Sequence, residues 1–154
     1  MMLIFFSSLN CKKEENANNS SDIQVSEFAS KEYKTALKQA KENNPKGLLK
    51  LYKIASDDLT YTVEYSEIAR ESLIYFLYSK TELWIRTFSK VEFSEFKTYL
   101  SKTGLGVSEL PERVTSDEQF EKAIADNLKK IKGDKKEIEL IDYVLKLIKG
   151  NQSD

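Results

Sequence analysis

From about Ser26 to the end of the chain, apolar residues recur at helical spacing and are broken by recognisable stops. A first helix is predicted from about Ser26 to Asn43, with Ala29, Tyr33, Ala36, Leu37 and Ala40 on one face. Asn44 and Pro45 cap and start a second, Pro being favoured at the first helical position. Its broad apolar side carries Leu48, Leu49, Leu51, Tyr52 and Ala55. Asp57 opens a connector, and Tyr61 or Thr62 leads into a third helix ending near Ser79. Its apolar set is Tyr65, Ile68, Ala69, Ser72, Leu73, Phe76 and Leu77.

The second half of the chain repeats the pattern in shorter pieces. Thr81 is expected to cap a short fourth helix with Leu83, Trp84, Ile85 and Phe88. A fifth follows from about Glu92 to Lys102, carrying Phe93, Phe96 and Leu100, and Gly104 ends it. Residues 104–115 form the longest connector. Ser116 with Gln119 makes a capping box for a sixth helix lined by Phe120, Ile124, Leu128 and Ile131. Gly133 is expected to stop it, and Asp134 with Glu137 starts a seventh, apolar at Ile138, Ile141, Val144, Leu145 and Ile148. The expected fold is all-α, a compact antiparallel bundle or short superhelix of six to seven helices over residues 26–150. Residues 151–154 are expected as a disordered tail.

The N-terminus breaks this pattern. Residues 1–10 read M-M-L-I-F-F-S-S-L-N without a charge, followed by Cys11 and K-K-E-E. The apolar stretch has the shape of a secretory signal and is far short of the ~20 apolar residues that a membrane-spanning helix needs. Residues 11–25 hold few apolar side chains and are expected as a flexible tether with a reach of ~20 Å.

Composition narrows the chemistry. Formal net charge is -1, which gives no whole-chain attraction for nucleic acid. The chain has no His, which removes the usual general base and the commonest metal ligand. Its single Cys excludes an internal disulfide and a Cys-based zinc site. No cofactor and no metal are expected.

With its Cys directly after an apolar, uncharged stretch, the N-terminus resembles a bacterial lipoprotein signal. Ser8, Leu9 and Asn10 stand where the family has a Leu three residues before the Cys and small residues between, a relaxed box similar to those of spirochaete lipoproteins. The resemblance implies a diacylglycerol on the Cys11 thiol and a place in the cell envelope, on the inner or outer membrane. Acyl chains contribute ~0.8 kcal/mol per buried CH₂, so two or three hold firmly. Separately, "LLKLYKIASDD" followed by "YSEIARESLIYFL", within Pro45 to Leu77, resembles one HEAT-type helix pair. Only one copy is evident, whereas solenoids stack several.

Catalytic candidates are thin. Ser94 and Lys97, with Lys102-Thr103-Gly104 downstream, resemble the S-x-x-K and K-T-G elements of penicillin-binding proteins, but the chain is too short for that fold and the elements are crowded together. Glu64, Glu67 and Glu71 share one helical face and read as solvated charge. Lys129, Lys130, Lys132, Lys135 and Lys136 gather around Gly133, complementing a helix C-terminus or offering contact with an anionic surface. Aromatic residues concentrate between Tyr61 and Tyr99; most fit a core, and Tyr61, Tyr75, Tyr78 and Trp84 are the candidates for partner contact.

These features favour a binding or structural module tethered to a membrane, with an unidentified protein as partner. The alternatives are a carboxylate- and Lys-dependent enzyme acting on envelope polymers, or a cytoplasmic helical protein with a miscalled start. Cys11→Ala is expected to abolish metabolic fatty-acid labelling and to move the protein from the detergent phase to the aqueous phase. A wild type that is itself unlabelled and aqueous would overturn the anchor.

Overall fold

In the computed structural model, the backbone is described for residues 15–57 and 60–151, and side chains for 27–57 and 60–150. The described residues form seven helices and no strand. They are α1 (Glu15–Lys41), α2 (Pro45–Ser56), α3 (Val63–Ser79), α4 (Thr81–Phe88), α5 (Phe93–Thr103), α6 (Asp117–Leu128) and α7 (Lys135–Asn151). Cys11 and the apolar segment 1–10 lie outside the described residues, as do residues 152–154 of the expected tail, whose first residue, Asn151, is instead the last of α7.

The first helix differs most from expectation. It begins at Glu15 rather than near Ser26, so most of the stretch expected as tether is helical. Polar composition argues against a core, yet it does not forbid helix. Once the buried half of α1 has nucleated the helix, each added residue gains a hydrogen bond at little further cost. At 27 residues, α1 is about 40 Å long.

The end of α1 is sharply defined. Asn43 adopts φ 61°, the left-handed conformation that Asn tolerates better than most residues. Its N–H donates to Ala40 O at 3.1 Å, and that of Asn44 donates to Gln39 O at 2.9 Å. Asn44 then caps α2, its Oδ1 accepting from the Lys46 N–H at 3.0 Å. Pro45 stands at the first position of α2, as the sequence predicts. The Lys80 ammonium closes the same corner, donating to Lys41 O and Asn43 Oδ1 at 2.6 Å each.

Small residues set how α1 and α2 meet. Ala36 and Ala40 are fully buried, and Gly47 lies directly against the α1 backbone. A Cβ on Gly47 would stand 2.6 Å from Ala36 O and in overlap with Ala40 N. The α2 helix runs back along α1, and α3 packs on α2 in turn. Consequently α1 and α3 run parallel, with Tyr33 reaching Ser72 and Lys41 reaching Lys80 at the same offset of 39 residues.

Burial explains why α3 lacks a clean single stripe. It touches α1 and α2 on one side and α4 and α6 on the other. Ala69, Leu73, Ile74, Phe76 and Leu77 are all buried, whereas Ile68, expected in the core, is exposed. Leu49 and Ile138 are likewise exposed rather than packed, each at the margin of its helix's apolar face.

A second core block joins α2, α4 and α5. Phe88 and Phe96 stack with centroids 4.4 Å apart and planes 4° apart. Trp84 lies 4.8 Å from Phe88 and 5.4 Å from Phe96. The Tyr52 ring meets Phe88, Phe96 and Tyr99 edge-on at 5.8, 5.2 and 5.1 Å. Beyond this block, α7 packs on α4 and α6, and the Tyr143 hydroxyl donates to Lys97 O of α5 at 3.0 Å.

Three local expectations shift. Thr81 is the first residue of α4, not its cap, and its hydroxyl donates back to Leu77 O at 2.7 Å. The sixth helix stops at Leu128, ahead of Gly133, because tight turns take over at Lys130 and Ile131. In the capping box of α6, Ser116 Oγ accepts from the Gln119 N–H, whereas Gln119 Oε1 accepts from Thr115 instead of Ser116. The box at α7 is reciprocal: Asp134 Oδ1 accepts from the Glu137 N–H at 3.0 Å, and Glu137 Oε2 accepts from the Asp134 N–H at 2.9 Å.

Gly47 and Gly150 should respond oppositely to alanine. An alanine in an open helix position stabilises by roughly 0.5–1 kcal/mol relative to glycine, the gain expected at Gly150, where a Cβ meets nothing within 4 Å. At Gly47 the clash with backbone outweighs that gain, and Gly47→Ala should cost about 1–3 kcal/mol. Urea unfolding of the two variants would show it; a stabilised Gly47→Ala would mean that α2 does not sit on α1 in this way.

Candidate functional site

Because α1 and α3 both clamp α2 and approach each other less closely, a furrow remains between them. The 104–115 connector walls its open side. Together they enclose a groove of about 670 Å³. Its apolar lining includes Leu37 of α1, Ile68 and Tyr75 of α3, and Val107 of the connector. Tyr75 is 48% exposed and Ile68 37%. Such side chains expose apolar surface that a partner could bury at a gain of roughly 25 cal/mol per Å².

The groove is built rather than incidental. On its floor, the Tyr33 hydroxyl and Ser72 Oγ lie 2.9 Å apart. The connector is pinned by two adjacent residues of α3. Arg70 donates to Gly106 O at 2.8 Å, and Glu71 accepts from the Ser108 N–H at 3.0 Å and from its hydroxyl at 2.8 Å. Leu105, fully buried, roots the loop in the core. Arg113, at φ 71°, bends it toward α6 in a conformation that costs a side-chain-bearing residue about 1–2 kcal/mol. The groove is also electrically polar along its length, with Glu71 and Glu109 at one end and Lys41 and Lys80 at the other.

No family model, curated protein or solved structure matches this chain. Its chemistry is therefore read from its own geometry.

The four aromatic candidates divide two and two. Tyr75 lines the groove, and Tyr78 is half-buried 5.2 Å from Phe120, with its ring 6.3 Å from that of Tyr75. Tyr61 and Trp84 are corrected: they are core residues, 6% and 1% exposed. Phe28 stacks over Tyr61 at 6.3 Å, and burial, then Glu32 and Asp57, push the Tyr61 hydroxyl above the ordinary tyrosine range. Trp84 sits inside the aromatic block, its Nε1 without an acceptor among the described residues, so packing alone holds the ring. An amphipathic ring near a helix start gives the same sequence signal whether it faces water or another helix.

The remaining candidates do not converge. The Lys97 ammonium lies 3.7 Å over the Phe93 ring and 3.6 Å from Glu139. Ser94 Oγ is 3.3 Å from Glu92 Oε1. Of the three carboxylates on α3, Glu64 and Glu67 are exposed, while Glu71 is committed to the connector. Sequence reasoning missed Glu71 as an anchor because its partner, Ser108, lies 37 residues away. Tyr33 and Lys80 were missed for the same reason.

Truncation should separate core from groove. Trp84→Ala is expected to cost about 3–5 kcal/mol, and Tyr75→Ala less than about 1 kcal/mol. Thermal and urea unfolding would measure both; similar losses would mean that Tyr75 is part of the core.

Proposed function

We propose that this chain is a lipid-anchored envelope protein, held through Cys11, whose helical domain docks a segment of a protein partner in the groove. What supports the docking half is one observation. Tyr75 and Ile68 stand exposed in a groove whose loop wall is fixed by Arg70 and Glu71. A preorganised wall means that binding loses little entropy to loop ordering. The anchor half rests on the N-terminal sequence, with Cys11 placed between an apolar leader and a charged start.

The groove's chemistry suggests the kind of segment. An apolar or aromatic side chain would fill the space between Leu37, Ile68 and Tyr75, gaining roughly 1.5–3 kcal/mol. An acidic residue toward Lys41 and a basic one toward Glu109 would fix its direction. The enzymatic alternative has less support, since Glu71 is engaged with Ser108, Lys97 with Phe93 and Glu139, and Ser94 with Glu92.

Site-specific photocrosslinking in intact cells tests the docking reading. A photoreactive residue replacing Tyr75 should give a discrete protein adduct, while one replacing the exposed Lys146 of α7 should not. Ile68→Glu should remove that adduct without unfolding the domain. Equal adducts from both positions, or persistence in Ile68→Glu, would refute the groove as the docking site.

A further inference from the structure

A second cavity, of about 660 Å³, lies where the α3–α4 junction meets the α6–α7 turn. Three ammonium-bearing side chains line it: Lys80 from the junction, and Lys130 and Lys132 from the turn. Among the described residues, none of the three has a carboxylate within ion-pair distance. The nearby acids are engaged elsewhere. Glu82, which also lines the cavity, is 2.6 Å from Arg86. Asp126 holds Lys122 at 2.7 Å and Lys129 at 3.6 Å.

The polar lining is held in place. Lys80 is fixed by Lys41 O and Asn43 Oδ1. Asn127 donates from Nδ2 to Tyr78 O at 3.2 Å, which leaves its Oδ1 3.5 Å from the Lys130 ammonium. Thr81, Glu82 and Leu83 complete the wall, at a helix start with no side-chain cap. Helix dipoles explain part of this charge: Lys129 and Lys130 follow the last turn of α6, and Lys80 closes α1. They do not explain why Lys132, further along the α6–α7 turn, shares a cavity with the other two.

Unneutralised ammonium groups from separate elements around one cavity suit a ligand with more than one negative charge and several acceptor oxygens. A lone carboxylate meets that description poorly, and a phosphate meets it well. We propose that this cavity binds a phosphate monoester, carried either by a soluble phosphorylated molecule or by a lipid headgroup of the phosphatidic acid type. The site shares Lys80 with one end of the groove but lies apart from its exposed Ile68–Tyr75 face, and it does not depend on the docking reading.

The test uses the full-length chain with Cys11→Ala, titrated with sn-glycerol 3-phosphate while backbone amide shifts are followed by NMR. Saturable shifts are expected at Thr81, Glu82, Leu83 and Asn127. Lys130→Gln combined with Lys132→Gln should weaken binding roughly tenfold or more. Both side chains are exposed and lie outside the helices, so folding is not at stake. Lys135→Gln combined with Lys136→Gln makes the same change in net charge outside the cavity lining, and should leave affinity unchanged. No saturable shift, or equal weakening by both pairs, would overturn the proposal. Flotation with phosphatidylcholine vesicles that contain phosphatidic acid, whose headgroup is a phosphate monoester, against vesicles of phosphatidylcholine alone separates the sources. Flotation lost in the Lys130/Lys132 pair assigns the phosphate to a headgroup, and absence of flotation beside saturable glycerol phosphate binding assigns it to a soluble molecule.

Discussion

Gly47 resting on the backbone of α1 is the constraint from which the rest of the domain follows. With no Cβ at that position and only methyl groups at Ala36 and Ala40, α2 comes close enough to bury Leu48, Leu51 and Ile54. That seam makes α2 the central member of the first three helices. Since α1 and α3 both turn toward α2, they run parallel and leave a furrow between them. Close packing thus opens the furrow, and the connector pinned by Arg70 and Glu71 makes it a groove.

Aromatic packing carries the second half of the molecule. Five rings from three helices, Tyr52, Trp84, Phe88, Phe96 and Tyr99, interlock in stacked and edge-on pairs. Pairs of this geometry contribute ~0.5–1.5 kcal/mol beyond their buried area. Large rings let α5 dock at a distance where small side chains would leave a void. The two seams are different solutions to one problem, since a helix can be held by removing side chains or by enlarging them.

Polar groups then fix the corners. Lys80 joins the end of α1 to the start of α4, and Arg70 and Glu71 tie the connector to α3. These bonds are exposed, and each contributes little in isolation. Their effect is positional, because they decide where the groove's wall and the lysine cavity lie. The same lysine therefore borders both cavities while serving as a helix cap.

Local signals in the sequence determined the helices and most of their ends. Asn44-Pro45, Gly104, Ser116 and Asp134 act within a few residues of themselves, so spacing and residue type suffice to read them. The apolar run of residues 1–10 and the Cys11 that follows it are likewise a pattern of the chain alone. Tertiary structure alone decided which amphipathic rings are core. Trp84 and Tyr61 vanish inside while Tyr75 stays in the groove, because burial depends on which helix arrives opposite. It also turned Glu71 from solvated charge into a loop anchor, and brought Lys80 beside Lys130 and Lys132. Those pairings join residues far apart in the chain, and only the packing of α6 on α3 and α4, and of the connector on α3, brings them into reach.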